Sequence, residues 1–219
     1  MEELGDVGLR QALLAGEPTA PGAVLEALEG FQRAPLDAPN PPFDEKLFLR
    51  ELQQFLQFAQ LPEAGVPSTL AFCQKLSRAL AQHPYRLCHR DFHLDNLLLS
   101  NGKVKAVDFQ DLRAGPDTYD LASLLRERDG SKLLPASFLN LAACRLALPP
   151  GWNERFCQCA AQRGLKALGT FLKLAVGGRS QYLSLVPEVA KNAGEALAML
   201  EGPSALRKRL RELENLVAL

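Results

Sequence analysis

The stretch between residues 85 and 111 constrains the fold most, because it predicts β-structure in a sequence whose pattern is otherwise helical. Three leucines at 97–99 precede Asn101-Gly102, and a second, alternating run occupies 104–107. Asn-Gly between two such runs favours a tight hairpin, since both turn residues must adopt positive φ. Helical periodicity after the hairpin covers 117–129, 135–148, 152–169, 170–184, 187–201 and 203–217. The predicted fold class is therefore mainly α with a small β-hairpin.

Polar side chains are concentrated on both sides of this hairpin, as CHRDFHLDN at 88–96 and VDFQD at 107–111. Phosphoryl transfer needs a carboxylate that orients the attacking hydroxyl, and it needs oxygen ligands for Mg²⁺. An antiparallel hairpin returns Asn96 and Asp108 to the same end. We therefore predict Asp91 as the catalytic base, Asn96 and Asp108 as Mg²⁺ ligands, and His89 as the side chain that supports the catalytic loop.

Simpler interpretations compete with this one. A lone Asp or Asn in such a segment is usually a turn residue or a helix cap. The combination of HRDxxxxN, a hairpin and Asp-Phe at a matching distance favours the phosphotransfer site. His89 and His93 are four residues apart, as in helical zinc motifs, but this segment is predicted to be loop and strand, which disfavours zinc.

Composition limits the remaining classes of protein. The chain has 25 Lys+Arg and 25 Asp+Glu, whereas nucleic-acid binders usually carry a basic excess. No apolar run approaches the roughly 20 residues of a membrane span, and the acidic opening MEELGDVGLR does not resemble a signal peptide. The five cysteines fit neither a disulfide framework nor a zinc pattern. We expect a cytoplasmic protein that binds neither nucleic acid nor membrane.

The motifs HRDFHLDN, VDFQD and GPDTYDLASLL (115–125) resemble those of the aminoglycoside phosphotransferase and choline kinase superfamily, a branch of the protein-kinase-like fold. In motif they look most like the cell-wall amino-sugar kinases, which phosphorylate the anomeric hydroxyl of N-acetylmuramate or N-acetylglucosamine. The resemblance implies an ATP-dependent, Mg²⁺-dependent small-molecule kinase. It also implies that Asp91 is the base, that Asn96 and Asp108 hold the metal, and that Asp120 supports the catalytic loop.

The same resemblance divides the chain into segments. Residues 1–6 resemble the hinge between two lobes, and 7–219 resemble the C-terminal lobe, with the catalytic loop and metal hairpin at 85–111 and a helical acceptor region at 117–219. The N-terminal lobe of such kinases, with its phosphate-covering loop and lysine, has no counterpart before the catalytic loop. We therefore expect the chain alone to bind nucleotide weakly and turn over poorly. We also expect a partner or a missing lobe to cover residues 1–15.

The acceptor side is less constrained by the sequence. Substrate-binding candidates are charged or polar residues near the catalytic loop and one arginine after a Gly-Gly pair. They are Arg90, His93, Asp95, Gln110, Asp111, Arg113 and Arg179. Each of them also fits a solvated loop position. A cationic acceptor favours a dense acidic cluster in the C-terminal helices, and none is visible, so a neutral or anionic sugar is preferred. A kinase for an aminoglycoside or amino alcohol and a non-catalytic kinase-like binding domain are the alternatives.

Overall fold

The computed structural model describes residues 7–127 and 129–216. The chain divides into two compact units, each built from two stretches of sequence. The first unit comprises Met1–Pro42 and Pro84–Trp152, and the second comprises Phe43–His83 and Asn153–Leu219. The expected hinge at residues 1–6 lies outside the described residues.

Helices occur in both units and make up most of the described chain. The α-helices of the described chain are α1 (Leu9–Leu14), α2 (Ala20–Arg33), α3 (Glu45–Phe58), α4 (Val66–Leu80), α5 (Tyr119–Arg126), α6 (Gly130–Leu133), α7 (Phe138–Arg145), α8 (Trp152–Val176), α9 (Val186–Met199) and α10 (Ser204–Glu214). Short 3₁₀ turns occupy Glu63–Gly65, Leu94–Asn96 and Ser180–Leu185. The predicted fold class, mainly α with a small β part, is confirmed.

The strands of the described chain belong to the first unit. They are β1 (Val7–Gly8), β2 (Tyr85–Cys88), β3 (Leu97–Ser100), β4 (Lys103–Ala106) and β5 (Arg113–Pro116). β1, β3 and β4 form one antiparallel sheet in that order, and β2 pairs with β5 in a second.

The predicted hairpin is β3–β4, and its prediction is confirmed. Ser100 faces Lys103 across the turn and Leu97 faces Ala106 at the open end. Asn101 and Gly102 have φ values of 51° and 72°, as a tight Asn-Gly turn requires.

The β2–β5 sheet was not expected from the sequence. Its register pairs Tyr85 with Pro116 and Cys88 with Arg113. β5 contains a glycine and a proline, which weaken a strand signal, and its partner lies more than 20 residues away in sequence. The sheet therefore depends on a long-range pairing that local patterning does not reveal.

The core of the first unit lies beneath the catalytic loop. Its fully buried apolar side chains come from α1, α2, the loop and α5, and include Leu9, Leu28, Phe92, Leu94, Leu97, Tyr119 and Leu121. The loop thus rests on side chains from elements both before and after it in the sequence.

The second unit is built from long helices with an apolar core. Phe48, Leu52 and Phe55 lie on one face of α3 and are completely buried. Asp44 caps this helix, since its side chain accepts a hydrogen bond from the Leu47 amide at 2.7 Å. Such an amphipathic helix buries its apolar stripe against its neighbours.

Two helix predictions for the second unit are wrong in their bounds. The sequence divides 152–184 into two helices near residue 169, but α8 runs unbroken to Val176. An ideal Cβ at Gly169 would lie 2.7 Å from the Phe55 amide nitrogen, so this glycine allows close helix contact rather than ending a helix. The pattern from Ser68 to Gln82 also predicts a helix capped by Ser68, but α4 begins at Val66, and Ser68 lies inside it and donates to the Gly65 carbonyl at 3.1 Å.

No helix in the described ranges is long and apolar enough to cross a membrane.

Candidate active site

The catalytic loop follows β2 and is held from below by Asp120. This side chain lies at the start of α5 and is completely buried. One carboxylate oxygen accepts a hydrogen bond from the His89 amide at 2.6 Å, and the other accepts one from the Arg90 amide at 3.0 Å. Hydrogen bonds from buried amides to a carboxylate are among the stronger ones in proteins. These are the contacts that the expected supporting role of Asp120 requires.

His89 joins the loop to the end of the hairpin. Its ring is fully buried and makes edge contacts with the rings of Phe31 and Phe92, at centroid distances of 5.5 and 5.9 Å. Its Nε2 lies 3.0 Å from the Val107 carbonyl oxygen. Because a carbonyl only accepts, Nε2 carries the proton. His89 therefore holds the residue directly before Asp108.

Asn96 connects Asp91, the predicted base, to the hairpin. Its Nδ2 donates to the Asp91 carbonyl at 3.0 Å, and its own carbonyl accepts from the Val107 amide at 2.9 Å. Since the amide nitrogen is engaged, Oδ1 is the side-chain atom left to bind a cation. Asp91, Asn96 and Asp108 are thus joined by one short hydrogen-bonded path.

Asp108 stands directly after the hairpin, one residue beyond the Val107 that bonds to Asn96. Its side chain is exposed, and its φ of 63° places it in the left-handed region. A non-glycine residue in this region is uncommon and often marks a functional site. Arg90, beside the base, has a φ of 77°.

The oxygen donors at this end of the hairpin fit Mg²⁺. This ion prefers hard oxygen ligands and is often bound through one or two protein groups together with substrate phosphates. Asn96 Oδ1 and the exposed Asp108 carboxylate are oxygen donors of this kind, and their binding of Mg²⁺ stays a prediction. Within the described ranges, no group of three or more His, Cys, Asp or Glu side chains could hold a metal without help from a substrate.

Three of the candidate substrate residues, Arg90, Asp95 and Asp111, are engaged in ion pairs. Asp111 accepts from the Arg90 guanidinium at 3.1 Å, and the Arg90 side chain is only 9% exposed. Asp95 accepts from Arg10 Nε at 2.8 Å. Both carboxylates therefore bind arginines of the same unit, which makes them less available to a sugar hydroxyl than the sequence suggested.

Arg10 contacts a second carboxylate as well. Its Nη1 donates to Asp129 Oδ2 at 2.7 Å. Burial alone would lower the pKa of the Arg10 guanidinium, but hydrogen bonds and charge from Asp95 and Asp129 outweigh it and raise that pKa above its ordinary value. Arg10 is therefore charged at every physiological pH.

The other candidates lie at different distances from the base. His93 Nε2 is 3.5 Å from Asn96 Nδ2, so His93 lies beside the metal ligands. Arg113 begins β5 and pairs with Cys88, next to the catalytic loop. Gln110 offers its backbone carbonyl to Asn40 Nδ2 at 2.8 Å. Arg179 is exposed in the second unit, after the turn that ends α8. Their roles toward an acceptor stay predictions.

Two residues near the site were missed from the sequence. Asn40 lies in the Pro-rich segment 34–43, and its Nδ2 also donates to the Leu112 carbonyl at 3.0 Å, which holds the loop after Asp108. Arg10 lies in a short helix far from the motif. A polar residue in a Pro-rich linker is a weak signal for Asn40, and nothing in the local pattern marks Arg10.

The geometry of a base, two oxygen ligands and a buried supporting carboxylate agrees with the comparison with known families. Residues 5–155 match the phosphotransferase enzyme family. The chain belongs to that family, and the resemblance predicted from its motifs is confirmed. By this membership and by its kinase-named relatives, the chain is classed as a small-molecule kinase.

The curated relatives share one name. The N-acetylmuramate/N-acetylglucosamine kinase of Pseudomonas putida is 29% identical over 250 residues and is matched over 98% of this chain and 68% of its own length. The protein of that name from Pseudomonas aeruginosa is 32% identical, over 89% of this chain and 61% of its own length. This chain therefore spans only about two thirds of the length of the relatives that it matches.

Solved structures support the fold alone. A choline/ethanolamine kinase family protein from Mesorhizobium loti matches with a TM-score of 0.67 at 16% identity, over 98% of this chain and 71% of that one. An aminoglycoside-3'-phosphotransferase of type VIII matches with a TM-score of 0.52 at 17% identity, over 77% of this chain and 67% of that one.

Proposed function

We propose that this chain carries the catalytic half of an ATP-dependent kinase that phosphorylates the hydroxyl of an amino sugar, with N-acetylmuramate or N-acetylglucosamine as the preferred acceptor. The observation that carries the proposal is the connected set Asp91, Asn96 and Asp108, held together through His89 and Asp120. The shared name of the curated relatives supports the choice of acceptor.

Each residue has a chemical task in this proposal. Asp91 orients the attacking hydroxyl and accepts its proton, because a carboxylate within hydrogen-bond reach of the acceptor can do both. Asn96 and Asp108 hold Mg²⁺ through their side-chain oxygens, and the ion, when bound, neutralises charge on the transferred phosphoryl group. Asp120 and His89 hold the loop and the end of the hairpin in fixed positions relative to each other, which preserves the geometry that phosphoryl transfer depends on.

The acceptor side of the proposal is supported by fewer contacts. His93 Nε2 lies 3.5 Å from Asn96 Nδ2, and Arg113 pairs with Cys88, the residue before His89. Asp95 and Asp111 are assigned to arginines rather than to the sugar. Arg179 remains a candidate from the second unit.

The test is a phosphotransfer assay with γ-labelled ATP and Mg²⁺, in which the parent and the Asp91→Asn variant are compared on N-acetylmuramate and N-acetylglucosamine. We expect Asp91→Asn to lose at least about a hundredfold in kcat, since general base catalysis contributes on the order of 10²–10⁴. Asp37→Asn is the matched control, because Asp37 is an exposed aspartate in the same unit. Equal signals from the parent and Asp91→Asn would favour a non-catalytic binding domain.

The acceptor is tested in the same assay with choline and an aminoglycoside as competing substrates. A higher kcat/KM on either of them than on the amino sugars would overturn the choice of acceptor while leaving the kinase proposal intact. Because the chain spans about two thirds of its relatives' length, we expect its own turnover to lie below the roughly 1–100 s⁻¹ of ordinary kinases. Turnover in that range would contradict the expectation of weak nucleotide binding.

A cytoplasmic location is part of the proposal. It is supported by the need for ATP and by five cysteines that carry free thiols. Fractionation of cells that express a tagged chain tests it, and recovery outside the cytoplasmic fraction would overturn it.

A further inference from the structure

We propose that Arg10 is a positioning residue for the phosphotransfer site, and that it holds the metal ligand Asn96 in place by clamping Asp95 to Asp129. The inference rests on the proposed function, because Asn96 matters in this way only if it binds the nucleotide's metal ion.

The clamp is an alternating set of four charges. Arg10 Nε donates to Asp95 Oδ1 at 2.8 Å, and its Nη1 donates to Asp129 Oδ2 at 2.7 Å. Lys132 Nζ binds the other oxygen of Asp129 at 2.7 Å. A planar guanidinium that binds two different carboxylates has its plane and its position fixed, which a lysine ammonium cannot reproduce.

Asp95 is the direct neighbour of the metal ligand. Both lie in the 3₁₀ turn Leu94–Asn96, whose first residue is fully buried. Asn96 in turn binds the Asp91 carbonyl and the Val107 amide. A rotation of the Asp95–Asn96 peptide therefore moves Asn96 Oδ1 relative to both the base and Asp108.

Arg10 is itself anchored to the strand that Asn96 leads into. β1 pairs with β3 so that Val7 faces Leu99 and Gly8 faces Leu98, and Arg10 follows two residues later in the first turn of α1. Leu9, between the strand and Arg10, is completely buried. The strand pairing and the Arg10–Asp95 bond thus hold the same segment at two points.

Because the clamp is partly exposed, its effect on the position of Asn96 can be distinguished from an effect on the stability of the fold. The side chains of Arg10, Asp95 and Asp129 are 27%, 43% and 33% exposed. Ion pairs at such exposure contribute little to the free energy of unfolding. Their geometric effect is greater, because the loss of Arg10 removes the bond that orients Asp95 directly beside Asn96.

The experiment compares Arg10→Gln, Arg10→Lys and Asp95→Asn in the full chain. Arg33→Gln is the matched control, since Arg33 is an exposed arginine of the same unit that pairs with Glu29 at 2.6 Å. One measurement is amide hydrogen exchange of peptides covering residues 92–98 without nucleotide. The other is phosphotransfer, with kcat, the apparent Mg²⁺ constant and the KM of the sugar determined separately.

We expect Arg10→Gln to speed exchange in 92–98, to lower kcat and to raise the apparent Mg²⁺ constant by about ten- to a hundredfold, as for other groups that orient a metal ligand. The sugar KM and the thermal midpoint should stay at the parent values, and Arg10→Lys should recover part of the loss. In the double variant Arg10→Gln/Asp95→Asn, kcat and the apparent Mg²⁺ constant should be changed no more than in the more impaired single variant.

Two outcomes would overturn the proposal. One is an Arg10→Gln variant that matches Arg33→Gln in both exchange and the Mg²⁺ constant, and the other is full additivity of Arg10→Gln with Asp95→Asn. Absence of phosphotransfer in the parent would instead count against the proposed function. The exchange measurement still decides the clamp in that case, because faster exchange in 92–98 supports it and unchanged exchange overturns it.

Discussion

The catalytic loop of the first unit and the helices of the second unit satisfy their buried polar groups in different ways. In the loop, the amides of His89 and Arg90 are bonded to Asp120, about 30 residues away. In the helices, the buried hydroxyls of Thr69 and Ser77 donate to carbonyls four residues earlier, those of Gly65 just before α4 and of Cys73 within it, each at 2.8 Å.

This difference follows from what each backbone can do alone. A helix pairs its own amides and carbonyls, so its position is decided by the apolar stripe that it buries. A loop has no such ladder, and its buried amides must find partners elsewhere. The first unit should therefore be most sensitive to the loss of single polar atoms, and the second unit to changes of volume.

The largest effect is expected for Asp120→Ala. It leaves two buried amides without partners, each at a cost of about 1–3 kcal/mol, so we expect a loss of roughly 4 kcal/mol in the free energy of unfolding and the loss of phosphotransfer. Chemical denaturation followed by circular dichroism measures the first effect. Asp37→Ala, at an exposed position, serves as control. A loss below about 1 kcal/mol would contradict the role given to Asp120.

A smaller but still large effect is expected for Gly169→Ala in the second unit. The added Cβ would lie 2.7 Å from the Phe55 amide nitrogen and 2.8 Å from its Cα, so two helices must separate. We expect a loss of about 2–3 kcal/mol in the free energy of unfolding, as for other overpacked sites. Gly194→Ala in α9 is the control. It has no atom within 4 Å of the added Cβ and should stabilise by about 0.5–1 kcal/mol. Equal effects of the two variants would disprove the close-contact explanation.

A change in the hairpin turn should cost less. Gly102 has a φ of 72°, and an added Cβ meets nothing within 4 Å, so only the backbone conformation opposes Gly102→Ala. We expect a loss of about 1 kcal/mol, seen as a lower thermal midpoint. Gly30→Ala, in the helix α2 with equal space around it, should raise the midpoint instead. A rise for both variants would mean that the turn tolerates an L-residue without strain.

The smallest effect concerns Glu29, which accepts from Arg145 at 2.7 Å and pairs with Arg33. The hydrogen bond from Arg145, opposed by burial, lowers the pKa of the Glu29 carboxyl below its ordinary value of 4.5. Because the folded pKa is depressed, the stabilisation is present above pH 4.5 and is lost as the pH falls through the lower folded value. Thermal midpoints of the parent and Glu29→Gln should therefore differ at pH 7 and converge once the pH lies below the folded pKa of Glu29. A constant difference across that range would show that Glu29 acts through packing rather than charge.

Local patterns were sufficient for some elements and not for others. The hairpin could be predicted because the two residues Asn101-Gly102 by themselves favour its turn geometry. α3 could be predicted because its apolar residues repeat at helical spacing. The β2–β5 pairing could not, since its strands are short and separated in sequence. The predicted boundary between residues 169 and 170 was wrong, because the close approach of Gly169 to Phe55 is a property of packing and leaves no local mark.

The sequence by itself determined which residue types form the site and which family the chain belongs to. The spacing of Asp91, Asn96 and Asp108 around one turn is a local property, and it can be recognised because phosphoryl transfer requires residues of these types. Only the tertiary structure decided which polar groups are engaged with the protein itself. It assigns Asp95 to Arg10 and Asp111 to Arg90, and it brings Asn40 to the loop after Asp108. The reason is physical: these bonds join residues 21 to 85 positions apart, and only the folded packing of the elements that carry them brings their atoms within 3.1 Å.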